Sequence, residues 1–149
     1  MPQVIVLRGQ PALSEFRIDK LVAKLRPLGV AGVMAEYRYF VELAAPLAEA
    51  DLAFLCELLQ AEPHRPAARA LLVTPRLGTV SPWSSKATDI AKNCGLADVA
   101  RIEHGIAYRL LDGKGRALSA ARTARALLHL HDRTTESVLA DESEAVRLF

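Results

Sequence analysis

The chain predicts an α+β protein made of two βαβα lobes related by a pseudo-twofold, and three observations lead there. Four stretches carry strand patterns, near Val4, Tyr39, Leu71 and Tyr108. Amphipathic helical patterns separate and follow them, and the polar, proline-bearing connector QAEPHRPAAR (60–69) divides the chain in the middle. The repeat is one of element order, not of residue identity. It places one lobe over about 1–62 and the other over about 70–140, within a single domain of 149 residues.

Each element follows from its spacing. Gln3 to Leu7 is a short β-branched apolar run stopped by Gly9 and Pro11, which predicts a buried strand. Ile18, Leu21, Val22 and Leu25 fall on one helical face opposite Asp19, Lys20, Lys24 and Arg26, with Pro27 and Gly29 as the stop. Tyr37, Tyr39, Val41 and Leu43 then alternate with Glu36, Arg38 and Glu42, the period-two pattern of a strand with one wet face. After Pro46, Leu52, Leu55, Cys56 and Leu59 form the stripe of a second helix.

In the second half, 71–73 predicts a strand, 85–94 a helix closed by Gly95, 102–110 an alternating strand with Gly105 as a bulge, and 117–131 a last helix. A lobe of about 60 residues buries only about 60% of its unfolded surface. The two sheets should therefore pack against or continue one another, with helices outside; the linear order of strands is not legible.

Bulk composition excludes several classes. Hydrophobic residues at 51% and charged residues at 24% match an ordinary globular domain, and no apolar run is long enough for a membrane span. A net charge of +2 with scattered Lys and Arg lacks the basic footprint of a nucleic-acid binder. The N-terminal MPQVIVLRG does not have the order of a secretory signal, so a cytoplasmic location is expected. Cys56 and Cys94 lack metal or redox spacing and are expected to be buried free thiols.

One stretch stands out: PRLGTVSPWSSKATDI (75–90) gathers the single tryptophan with prolines, cations and many hydroxyls in a loop that feeds a helix N-terminus. Ser81 and Ser84 or Ser85 are candidate N-caps and Pro82 suits the first turn. The free N–H groups there, with Arg76 and Lys86 nearby, make an anion site one reading. A partner-facing surface is a second, and a plainly capped helix with Trp83 on a core edge and Asp89 on the helix dipole is a third.

Other chemistry finds little support. No phosphate-loop motif occurs, and DGKGR (112–116) reads as a structural turn. Of His64, His104, His129 and His131, the last two stand i and i+2 on a helix, about 200° apart, and cannot share a metal as an i, i+4 pair does. No serine sits in a GxSxG context. HDRTTES (131–137) clusters His131, Asp132, Arg133 and Glu136 at the expected end of the last helix, either as a local ion-pair group or as a secondary interdomain contact through His131, Asp132 and Arg133.

LRGQPALSEFRIDKL (7–21), AEYRYFVEL (35–43), LLVTPRLGTVSPWSSKATDIAKNCGL (71–96), HGIAYR (104–109) and HDRTTESV (131–138) together resemble the N-terminal region of the large, single-chain phosphoribosylformylglycinamidine synthase family, also called formylglycinamide ribonucleotide amidotransferase. The resemblance spans nearly the whole chain; Leu77, where that family often has proline, departs from it. It implies a PurS-like domain, in effect a fused dimer of a small subunit, at the front of a purine-biosynthetic ligase. That enzyme family converts formylglycinamide ribonucleotide, glutamine and ATP to the amidine, glutamate, ADP and phosphate.

The glutaminase triad and the magnesium–ATP site of such an enzyme lie downstream of this region, so the resemblance implies no catalysis and no cofactor in this chain. ATP and magnesium belong to the parent enzyme, and the partners are the synthetase and glutaminase domains of the same polypeptide. Under this reading the chain is a front domain, and Arg76, Thr79, Ser81, Trp83, Ser84, Ser85, Lys86, Thr88 and Asp89 face the synthetase domain or its substrate phosphate. The isolated domain is expected to be able to dimerise through the surface so exposed. The alternative is a free-standing ferredoxin-like regulatory module that binds a small anion between its lobes.

Overall fold

The computed structural model describes residues 3–64, 71–132, 134–139 and 146–149. In chain order these give β1 (Gln3–Pro11), α1 (Glu15–Leu25), a 3₁₀ turn (Arg26–Leu28), β2 (Gly32–Leu43), α2 (Glu49–Leu59), β3 (Glu62–Pro63), β4 (Leu71–Pro75), α3 (Pro82–Asn93), β5 (Val99–Leu111), α4 (Ala120–Leu127) and β6 (Glu136–Leu139). The class is α+β. A single six-stranded sheet runs in the order β3-β1-β2-β5-β4-β6, and every neighbouring pair is antiparallel.

The sheet is joined through its middle by β2 and β5, which pair from Gly32↔Leu111 to Leu43↔Val99. Residues opposite one another share a face, so Val33, Tyr39 and Val41 of β2 lie with Leu110, His104 and Ile102 of β5. All four helices cover that face. Leu55 of α2 and Ala91 of α3 pack with Val41 and Ile102 near one end, while Leu25 of α1 and Ala126 of α4 pack with Val33 and Leu110 near the other. The opposite face buries Val6, Phe40, Leu72 and Leu139 beneath Leu148 and Phe149 at the end of the chain.

Several boundaries differ from the sequence expectation, each for a local reason. β1 continues through Gly9 to Pro11, because β3 pairs only with Leu7 and Arg8 and the register with β2 shifts between Arg8 and Pro11, so the last residues of β1 lie on an open edge that accommodates both. β2 starts at Gly32, where Val33 and Ala35 are buried and Met34 points outward. The last helix is only Ala120–Leu127: Ala117 bridges to Leu111, Leu118 N–H donates to Leu110 O, and the Ser119 side chain caps the helix by accepting from Arg122 N–H. Neither edge strand was expected. β3 comes from the connector, pairing Glu62 and Pro63 with Arg8 and Leu7, and β6 comes from the HDRTTES region.

Gly105 is not a bulge, since the register across β2 and β5 is unbroken there. Its lack of a side chain serves close packing: a Cβ would sit 2.7 Å from Val73 O and 3.1 Å from Thr74 Cγ2. The thiol expectation holds in part. Cys56 is half-buried and its thiol is pushed up in pKa by burial, whereas Cys94 is exposed because the helix closes there with its N–H on Ile90 O and Ala91 O. The 112–116 segment is the expected turn, with Asp112 Oδ1 accepting from Lys114 N–H at 2.8 Å and Arg116 N–H at 2.9 Å. Among the described residues no helix is long and apolar enough to cross a membrane.

Gly105→Ala should lower unfolding free energy by about 1–3 kcal/mol through overpacking against β4. Gly113→Ala, which meets nothing within 4 Å, should change it by less than about 0.5 kcal/mol. Urea unfolding of the two variants side by side checks the contrast.

Candidate functional site

The strand β4 pairs with β5 only from Leu71↔Tyr108 to Val73↔Ile106, so the edge of β5 from Arg101 to His104 has no strand beside it. Backbone groups left unpaired in a buried edge are costly. The N-terminal half of α3 occupies the place. Ser84 and Thr88, four apart and hence on one helical face, reach the Ile102 backbone: Ser84 Oγ donates to its carbonyl, and Thr88 Oγ1 accepts from its N–H at 3.0 Å. Thr88 Oγ1 also donates to Ser84 O at 2.7 Å. Two side-chain hydroxyls thus stand in for a strand.

The helix start is fixed from the same edge. Ser81 is the N-cap, accepting from Ser84 N–H at 3.0 Å, and its hydroxyl donates to Glu103 Oε1 at 2.9 Å. Glu103 is wholly buried. Its carboxylate also accepts from His104 N–H at 3.1 Å and from Arg101 Nη2 at 3.0 Å. Burial pushes the carboxyl up in pKa, but the hydrogen bonds from His104, Ser81 and Arg101 outweigh it and hold the group below the usual carboxylate range.

Arg101 spreads the fixation further. Its guanidinium donates to Thr79 O at 3.0 Å, to Ser84 Oγ at 3.3 Å and to Leu148 O at 2.6 Å, and stands 5.1 Å from the centre of the Phe149 ring. One ion pair therefore ties the 75–81 loop, the start of α3, the β5 edge and the end of the chain. On the helix-bearing face, Trp83 lies 3.8 Å, centre to centre, from the His104 ring and 5.9 Å from Tyr39, with Tyr37 stacked beyond at 6.3 Å from Tyr39. Burial raises the Tyr39 phenol pKa. His104 Nδ1 is buried 3.7 Å from Glu103 Oε1, too far for a hydrogen bond.

A family model described as formylglycinamide ribonucleotide amidotransferase N-terminal matches residues 36–149. The chain belongs to that family. The match contains the whole α3 cap, the Arg101–Glu103 pair and the aromatic layer, and it places the chain with the N-terminal region of a purine-biosynthesis amidotransferase.

Within this amidotransferase domain the residues singled out from the sequence divide into two groups. Ser81, Ser84 and Thr88 point into the body, and Trp83 is half-buried against His104. Arg76, Thr79, Ser85, Lys86 and Asp89 are exposed, as are the apolar Val80 and Ile90. Thr79 Oγ1 donates back to Arg76 O at 2.6 Å, which closes the loop on itself.

His131 and Asp132 make local hydrogen bonds in the turn after α4. The His131 Nδ1 sits 2.7 Å from Leu127 O, and Asp132 Oδ1 accepts from Thr134 N–H at 2.8 Å; Arg133 lies outside the described residues. The HDRTTES segment does reach the 75–90 stretch, but through other residues. Arg76 N–H donates to Thr135 O at 3.0 Å and Leu77 N–H to Ser137 Oγ at 3.2 Å. Arg101, Glu103 and His104, the centre of the arrangement, were not singled out as site residues, because charged residues in an alternating strand read as its wet face. Among the described residues no group of three or more His, Cys, Asp or Glu could hold a metal ion.

Arg101→Ala should cost about 3–5 kcal/mol by leaving the buried Glu103 charge uncompensated. Adding Glu103→Gln should recover part of that loss, and a double-mutant cycle in urea measures the coupling. The folded Glu103 carboxyl lies below its unfolded value of about 4.3, so its contribution to stability is present above that pH and is lost as pH falls through the lower folded value. Glu103→Gln alone should accordingly flatten the acid limb of the stability profile. Thr88→Val should cost about 1–3 kcal/mol, since it keeps the volume but orphans the Ile102 N–H.

Proposed function

We propose that this chain is the docking domain at the front of a glutamine-dependent phosphoribosylformylglycinamidine synthase and performs no reaction itself. The parent enzyme joins formylglycinamide ribonucleotide, glutamine and ATP chemistry in other domains. This domain packs on the synthetase domain and helps hold it against the glutaminase domain, so that ammonia passes between them away from water. ATP and magnesium act in the parent enzyme, and the protein works in the cytoplasm. The pseudo-twofold reading, a fused PurS-like dimer, is supported by the sheet order. Strands β3, β1 and β2 occupy one side and β6, β4 and β5 mirror them on the other.

The observation that carries the docking role is the contrast within one stretch. Ser81, Ser84 and Thr88 lock residues 79–88 to the body through Glu103, Arg101 and Ile102, while Arg76, Lys86, Val80 and Ile90 face outward from that fixed frame. A rigid surface that mixes charge with exposed apolar side chains binds a protein partner at low ordering cost. The same surface would let two isolated domains pair.

Amide hydrogen exchange compared between the 149-residue chain and the full amidotransferase tests this. Residues 76–80 and 85–90 should exchange more slowly in the full enzyme, and equal rates in both would count against docking there. Lys86→Glu in the full enzyme should lower glutamine-dependent turnover more than ammonia-dependent turnover. The purified 149-residue chain should turn over neither substrate.

A further inference from the structure

A groove of about 780 Å³ runs between α1 and the turn after α4, with Tyr108 of β5 on its floor. Arg17, Lys20 and Lys24 line it at i, i+3 and i+7 of α1, with His129 opposite. Like charges one turn apart repel and cost a helix stability. Among the described residues no carboxylate stands within ion-pair distance of these three cations. Burial, and then the negative charge of Glu136, raise the Tyr108 phenol pKa, so one carboxylate acts on the floor, but it makes no ion pair with the row. The groove therefore holds a positive row that has no ion-pair partner among the described residues.

The same groove exposes apolar surface where a soluble helix has no need of it. Phe16 is 70% exposed at its mouth, and Lys20 Nζ lies 5.5 Å from the centre of its ring. A cation held against an aromatic face suits a ligand that joins an anion to a flat ring, because the phosphate meets the ammonium while the ring meets Phe16. Arg17 to Lys24 spans about 10 Å of helix rise, longer than one phosphate. The volume is that of a small-molecule site.

We propose that this groove binds a nucleoside polyphosphate, its phosphates along Arg17, Lys20 and Lys24 and its base against Phe16. This is independent of the docking surface on α3. The groove's cations and Phe16 precede the region matched by the family model, which begins at Glu36.

Titration of the isotope-labelled 149-residue chain with ATP, inorganic triphosphate and adenosine, followed by amide-resolved NMR, tests it. ATP should give saturable shifts at residues 13–24, Tyr108 and 129–130, triphosphate weaker ones at the same places, and adenosine the weakest. Lys20→Gln and Lys24→Gln should each weaken ATP roughly fivefold, and Phe16→Ala, at an exposed position, should remove the preference of ATP over triphosphate. The proposal is overturned if ATP gives no saturable shift there. It is equally overturned if Lys92→Gln on α3, in the other helix pair, weakens ATP as much, which would make the effect general charge attraction, or if an oligoglutamate peptide displaces ATP at lower concentration, which would make the groove an acidic-peptide site.

Discussion

A buried glutamate, Glu103, paired with the half-buried Arg101 on a strand edge governs the architecture around it. Glu103 is removed from water completely, and a carboxylate in that position survives only with donors on all sides. Arg101, Ser81 and the His104 N–H supply them. Because those donors come from the α3 cap and from β5 itself, the charge can be satisfied in one arrangement of helix and strand only. The pair contributes specificity of docking between elements more than raw stability, since two apolar side chains of like volume could pack there at similar free energy.

That constraint explains why a helix can complete a sheet. Between Val73 and the start of α3 the chain leaves the β4–β5 ladder, and the β5 edge would otherwise face apolar surroundings with free N–H and C=O groups. Ser84 and Thr88 answer the Ile102 backbone, and Arg101 fastens Thr79 and Leu148 over the same corner. A loop held this way loses little freedom on meeting a partner. The hydroxyls that made 75–90 conspicuous are mostly spent on this internal work, which leaves the charged and apolar side chains between them to face outward.

Placing all four helices on one face also sets what each surface can do. The opposite face is covered by Leu148 and Phe149, which pack over Phe40 and Leu72. The helix-bearing face has two helix pairs at opposite ends of the strands, with an aromatic layer of Tyr37, Tyr39, Trp83 and His104 on it. The proposed docking surface on α3 and the proposed ligand groove beside α1 belong to different helix pairs.

Periodicity in the chain was enough to specify the central strands, three of the helices closely and the α+β class, because those elements bury continuous stripes whose spacing is printed in the residues. Residues 7–43 and 71–138 also carried enough identity to point to the amidotransferase family. What periodicity could not supply was pairing. Edge strands of two and four residues are too short to show a pattern, Gly105 reads alike as a bulge or a close approach, and Arg101 and Glu103 look like a wet face. Only the tertiary structure decided that α3 lies along the open edge of β5, and that decision buried Glu103 and half-buried its partner Arg101, since burial belongs to the neighbours a residue acquires and not to its place in an alternation.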